Sequence, residues 1–224
     1  MNGIMPDLNK RTVKIVLFLV CFCLLGAWIY RMSVFRPAKN FHVVEENKFY
    51  RSAQLSGDEL EEVVKQYGIK TVINLRGKQE GEWWYDDEAA TLARLGVRHE
   101  NIGFSTEHVQ TPENWRQFHE ILETAERPIL VHCRSGADRT SEASAVYVMD
   151  YMGKSRQEAL EQVSLKYLHV SLFHPAKRYF IENYEGKEWV LNSYDPCSPK
   201  FRKYATGWLK CPPEEKATPA SQAN

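Results

Sequence analysis

"PILVHCRSGADRT", residues 128–140, decides how this chain is read. A β-branched apolar run leads into a histidine, a cysteine, a glycine and an arginine at fixed intervals. In open α/β sheets functional groups gather where a buried strand ends and the chain turns into the next helix, and Cys133 stands at that place. Five residues that include Gly136 separate Cys133 from Arg139, so the backbone can curl until its N–H groups converge on one centre at a helix N-terminus, an anion nest. That field favours a thiolate at Cys133. Arg139 can fork onto two oxygens of a bound phosphate, which a lysine could not do in the same geometry. Thr140 brings a hydroxyl near the sulfur, able to stabilise it as a leaving group, and His132 orients the loop. Arg134, Ser135, Gly136, Ala137 and Asp138, with Arg139, then form the wall that holds phosphate.

Outward from this motif, strands and helices alternate. "FHVVEENKFYRS" reads as a hairpin turning at Glu46-Asn47. Ser56 and Glu59 form a capping box for a helix closed by Gly68. "IKTVINLRG" suits a strand buried on both faces. A helix within 84–95 ended by Gly96, a strand within 97–102 and a helix opened by Thr111-Pro112 complete the upstream series. Downstream, helices are expected over 139–152, 155–165 and 174–185. The alternation predicts an α/β domain over 41–190, a central, mostly parallel sheet flanked by helices. Arg51 and Arg76 end apolar strands and either line the pocket or pair with buried carboxylates. Trp83, Trp84 and Tyr85 either pack a helix on the sheet or grip an aromatic or acyl substrate.

With 224 residues, 43% of them hydrophobic, the chain has room for one domain of about 150 residues plus appendages. Its 29 basic and 29 acidic residues cancel, so no global field attracts nucleic acid and any anion site must be local. The histidines form no short-spaced ligand pattern with the cysteines, so neither a metal nor another cofactor is expected. Residues 1–14 read as a cytoplasmic N-terminus, 15–31 as a transmembrane signal anchor and 32–40 as a linker broken by Pro37. Ile15 to Tyr30 carries no charge, although its sixteen residues fall short of the roughly 20 of an untilted span. Bulky Trp28, Ile29 and Tyr30 argue against a cleaved signal, while basic residues on both flanks leave orientation undecided. In the extension 191–211, Cys197 and Cys211 fit a disulfide of an oxidising compartment, with unpaired structural cysteines the other reading. The tail 212–224 reads as disordered.

The chemistry that needs this arrangement is phosphoryl transfer to sulfur. H-C-x5-R-T with its central glycine resembles the cysteine-dependent protein tyrosine and dual-specificity phosphatase superfamily. "FYRSAQLS", "GIKTVINLRG" and "MGKSRQEALEQV" look like its compact atypical dual-specificity branch, and the likeness runs from Phe41 to Tyr184. "CSPKF" with a later cysteine is similar to the end of periplasmic tyrosine phosphatases of Gram-negative bacteria. The resemblance implies a phosphomonoester hydrolase with a cysteinyl-phosphate intermediate. It also implies a single-pass protein of a bacterial inner membrane with a periplasmic catalytic domain.

Two departures from the family pattern bear on mechanism. Ser141 stands where the family usually has glycine. The family's acid is usually an aspartate on a loop before the cysteine, and "NIGFSTEHVQTPENW" has none; Glu107 is the nearest carboxylate in register. Asp138, inside the nest, is the competing acid, since a phosphate's like charge favours the protonated carboxyl. Its other reading is a hydrogen bond that stabilises the loop. Asp138 also repels a second phosphate, so phosphotyrosine or phosphoserine/threonine on proteins are the leading substrates. Membrane lipid or lipid-linked phosphates are the alternative, and a non-catalytic phosphate-binding module is a second one.

Overall fold

The computed structural model describes residues 10–34, 38–207 and 209–213, which belong to two compact units, residues 1–38 and 39–224. The predicted N-terminal residues 1–9, linker residues 35–37 and tail residues 214–224 lie outside the described ones. The first unit holds helix α1, Lys10–Val34, whose described side chains, Val13 to Gly26, are all exposed. The transmembrane expectation for residues 15–31 meets a correction here. Among the described residues no helix is long and apolar enough to cross a membrane.

The second unit is built on a five-stranded sheet. Strands β1 (His42–Glu45) and β2 (Phe49–Ala53) form the predicted hairpin. Helix α2 (Gly57–Tyr67) starts at the Ser56/Glu59 capping box and stops at Gly68, which adopts the left-handed conformation. Strand β3 (Thr71–Asn74), helix α3 (Trp83–Leu95), strand β4 (Arg98–Asn101), helix α4 (Pro112–Thr124) and strand β5 (Ile129–Cys133) follow in the expected order. The sheet order is β1-β2-β5-β3-β4, with only β1 antiparallel, so β5 lies at the centre. All five residues of β5 are buried.

Alternation along the strands feeds two cores. Tyr50, Val72 and Leu130 pack with Leu60 and Val64 of α2 and Leu92 of α3. Phe49, Ile73, Ile129, Val131 and Cys133 face the larger core, which includes Trp115 and Phe118 of α4. Helices α5 (Arg139–Asp150), α6 (Arg156–Leu160) and α7 (Pro175–Glu182) cover that second face.

Helix α6 ends at Leu160 rather than near 165. Beyond it the chain tightens into three-residue turns, with Gln162 N donating to Ala159 O and Val163 N to Leu160 O. This reversal brings Gln162, Tyr167 and His169 back toward the motif. Two short helices were not foreseen, α8 (Lys187–Asn192) and α9 (Arg202–Ala205). Val190, Tyr194, Phe201 and Ala205 join the larger core, so packing continues past residue 190 into the extension, which the Cys197–Cys211 disulfide closes.

Candidate active site

Cys133 ends β5 and is 2% exposed, and the loop 134–138 carries the chain from it into α5. The loop can pass this close to β2 only because of Gly136. Its φ is 67°, and a Cβ there would stand 2.7 Å from Ser52 O and 2.8 Å from Ala53 N, both backbone atoms that cannot swing away. Asp138 is the N-cap of α5 but makes no cap hydrogen bond, so no side chain of its own closes the helix N-terminus to an anion. Its carboxylate turns instead to His169, whose Nδ1 lies 2.8 Å from Oδ1, while His174 Nε2 is 3.7 Å from Oδ2. Thr140 Oγ1 is buried beside the loop and has no hydrogen-bond partner among the described residues.

Below the loop lies Arg51, fully buried, which no carboxylate pairs with among the described residues. Its Nη2 donates to Gly136 O at 2.7 Å and to Ser141 Oγ at 2.9 Å; Nη1 donates to Gln162 Oε1 at 2.8 Å. The guanidinium also lies 4.0 Å from the Tyr167 ring centroid. Burial brings its pKa down to about 10, opposed by Tyr167 and Cys133, so it remains a cation at neutral pH. Sequence reading placed Arg51 in the pocket or in an ion pair; it is instead the strut that holds the loop's curvature. The same contact accounts for Ser141, whose hydroxyl accepts one of the strut's hydrogen bonds.

His132 faces the opposite side of the sheet. Its Nε2 is 3.0 Å from Oε2 of Glu88, a residue of α3 that is 2% exposed, and His99 Nε2 is 2.9 Å from the other carboxylate oxygen. Burial pushes Glu88 up, but His132 and His99 outweigh it and hold the carboxyl far below its ordinary range. Gln54 links Glu88 to Arg76, donating Nε2 to the carboxylate and accepting from Arg76 Nη1 at 2.9 Å. Arg76 in turn lies over the buried Trp84 ring, and its pKa is lowered by burial and by Arg139 and Arg134. Three arginines therefore share one corner of a chain with no net charge, which makes the anion site local. Trp84 packs as a core residue, whereas Trp83 is exposed.

A cleft of about 430 Å³ opens beside the loop, lined among others by Arg76, Phe104, Glu107, His108 and Arg139. Glu107 is exposed, on the loop between β4 and α4. The structure thus brings Glu107 and Arg139 to one cavity, whereas Asp138 is buried and engaged by His169. His108, beside Glu107, was not singled out from sequence; its position in the acid-bearing loop was the available signal. The loop is firmly seated. Gln110 Oε1 accepts from Ser105 N at 2.7 Å, and Gln110 Nε2 donates to Glu142 of α5 at 2.7 Å. Lys177 of α7 donates to His108 O at 2.6 Å and lies 3.0 Å from Glu142 Oε2, a fully buried ion pair. Burial raises the Glu142 carboxyl and lowers the Lys177 amine, each resisted by the other. From the extension, Tyr194 Oη donates to Gln110 O at 2.9 Å and Val109 N donates to Tyr204 O at 3.1 Å.

A cysteine at the end of a central parallel strand, a glycine-bent loop and an arginine at the first turn of the next helix define a dual-specificity type cysteine phosphatase fold. Residues 33–176, more than half of the chain, match the model of the family described as DSP-PTPase phosphatase fused to NAD+ kinase, and the chain belongs to that family. Human dual specificity protein phosphatase CDC14C is 29% identical over 101 residues, 45% of this chain and 21% of that protein, so the chain spans about a fifth of that relative's length. Two solved structures share the fold. TpbA of P. aeruginosa, in complex with pTyr, superposes with a TM-score of 0.52 at 20% identity, covering 76% of this chain and 93% of that one. The core catalytic domain of the PP-IP phosphatase SIW14 of S. cerevisiae, in complex with citrate, gives 0.52 at 22% identity, covering 67% and 88%.

Proposed function

We propose that this chain hydrolyses phosphomonoesters through a cysteinyl-phosphate intermediate. The observation that carries the reading is the buried Cys133 at the end of β5, followed by a loop whose Gly136 O is held by the fully buried Arg51, which no carboxylate pairs with among the described residues, and by Arg139 and Thr140 in the first turn of α5. The Cys133 thiolate attacks phosphorus while the loop wall, Arg134 to Arg139, and the Arg139 guanidinium hold the non-bridging oxygens. The P–O bond to the leaving group breaks, and that oxygen takes a proton from Glu107. Water then attacks the same phosphorus, gives its proton to the Glu107 carboxylate and breaks the S–P bond, releasing inorganic phosphate. Thr140 Oγ1 donates to the departing sulfur, and His132, held by Glu88, fixes the strand end that carries it.

The finer reading is a protein tyrosine or dual-specificity phosphatase. The likeness to a structure holding pTyr and to CDC14C supports it. The likeness to a PP-IP phosphatase is offset by Asp138, which disfavours a second phosphate in the loop. We assign the domain to an oxidising compartment, the bacterial periplasm, a placement that the Cys197–Cys211 disulfide supports. A chromogenic aryl phosphate should be hydrolysed without added metal, and Cys133→Ser should abolish it while acid-stable phosphate labelling of the wild-type cysteine is seen. Persisting turnover in Cys133→Ser removes the nucleophile, and tight phosphate binding without turnover in the wild type leaves only a phosphate-binding module.

A further inference from the structure

The segment between α6 and α7 has an exposure pattern that folding does not account for. Leu165, Leu168, Leu172 and Phe173 are 73%, 47%, 83% and 71% exposed, while Tyr167 and His169 among them are buried. The two buried residues fix the segment to the phosphate-binding loop. Tyr167 lies under Arg51, and His169 bonds Asp138. Leu168 is moreover held at φ 65°, the left-handed region that disfavours a branched side chain and is cheaper for glycine or asparagine. Lys166 is exposed between the leucines, and Arg134 is exposed on the loop itself. Behind this edge lies an open hollow of about 520 Å³, lined by Leu165, Lys166, His169, Val170 and Arg178 among others.

The occupant these features fit is a lipid surface. Leucine and phenylalanine interleaved with lysine is the composition of segments that lie in a bilayer interface, the apolar groups among acyl chains and the amines at anionic headgroups. Protein-binding hot spots, by contrast, favour tryptophan, tyrosine and arginine, with leucine under-represented. The segment is pinned to the phosphate-binding loop once more by Asn40, whose Nδ2 donates to Tyr167 O at 3.0 Å and to Ser135 O at 3.1 Å.

We propose that residues 165–173 form a membrane-seating rim, which buries Leu165, Leu168, Leu172 and Phe173 in the interface of an anionic bilayer and turns the phosphate-binding loop toward phosphomonoesters held at that surface. The last clause rests on the phosphatase reading; the seating does not. The full chain is reconstituted in phosphatidylcholine/phosphatidylglycerol vesicles with or without brominated acyl chains. Phe173→Trp adds emission, taken as the difference from the wild-type chain, and bromine should quench most of it. Equal added emission in both vesicles overturns the rim.

The serine double variant Leu172→Ser/Phe173→Ser then tests what the seating serves. It should lower kcat/KM for long-chain phosphatidate in vesicles at least about tenfold, the effect of losing two inserted apolar side chains. Turnover of monomeric dihexanoyl phosphatidate and of an aryl phosphate should stay within about twofold, because neither needs the surface. Parallel losses on all three substrates overturn the proposal, as does a loss confined to a phosphotyrosine peptide assayed as a fourth substrate, the latter in favour of a protein-docking surface. A wild-type chain inactive on every phosphomonoester is a failure of the phosphatase reading, and the quenching then decides the rim alone.

Discussion

His169 Nδ1 lies 2.8 Å from Oδ1 of Asp138, so the carboxylate inside the phosphate-binding loop is tied to the returning segment after α6 rather than aimed at a leaving group. This contact supports a positioning role for Asp138, and the exposure of Glu107 in the cleft with Arg139 supports the proposal that Glu107 is the acid. Glu107→Gln is expected to slow alkyl phosphates by about 10²-fold while sparing aryl phosphates with good leaving groups. Asp138→Asn should slow both classes alike, since it loosens the loop and not the proton transfer. A leaving-group series for kcat/KM separates the two; a steep dependence in Asp138→Asn would reverse the assignment.

Glu88 predicts a pH dependence of stability. Its carboxyl is held far below its ordinary 4.5 by His132 and His99 in spite of burial. A depressed carboxyl contributes stability above its unfolded value, and that stability is lost as pH falls toward its folded value. Urea unfolding should therefore show the wild type losing stability more steeply than Glu88→Gln between about pH 5 and pH 3. Parallel curves would mean that the pairing with His132 and His99 does not stabilise the fold.

Much of this architecture is legible in the sequence because its signals are local. Ser56 with Glu59, Gly68, Gly96 and Thr111-Pro112 mark helix ends through hydrogen bonds and φ values confined to a few residues. The strand–loop–helix around Cys133 is equally local. Partners across the sheet are not legible. That Arg51 would meet Gly136 O, 85 positions away, or Glu88 reach His132, depends on the order in which β2, β3 and β5 pair and on which face each side chain takes. The overlong helix expected after residue 155 has the same origin. Its apolar spacing persists beyond Leu160, but the chain turns there because Gln162 is drawn to Arg51.

Gly136→Ala tests the loop's approach to β2. A methyl group would meet Ser52 O and Ala53 N inside van der Waals contact, at a φ that alanine avoids. The loop must then lift from the sheet, which breaks its bond to Arg51. A loss of about 1–3 kcal/mol in thermal or urea unfolding is expected. Turnover of any phosphomonoester should fall by about 10²-fold, as a misplacement of about 1 Å in a catalytic loop does. Wild-type kcat in a folded Gly136→Ala protein would show that the curvature is not what the chemistry needs.

The disulfide closes a segment that seats the Glu107 loop. Cys197 and Cys211 bracket Tyr204, whose carbonyl accepts from Val109 N, and Tyr194 just before them donates to Gln110 O. Val109 and Gln110 directly follow Glu107 and His108. Opening the 14-residue link by Cys197→Ser/Cys211→Ser should cost about 3 kcal/mol of stability, from the entropy regained by the unfolded chain. A second effect follows from the geometry. With the extension loosened, the Glu107 loop loses its support from Tyr204, while Arg51, Gly136 and Cys133 keep theirs. Alkyl phosphate hydrolysis, which needs the acid, should therefore drop several-fold more than aryl phosphate hydrolysis, which does not. Tyr194→Phe, which leaves the disulfide intact and removes one hydrogen bond worth about 1 kcal/mol, should reproduce the leaving-group bias with a smaller loss of stability. Equal effects on both substrate classes in both variants would confine the extension to a stabilising role.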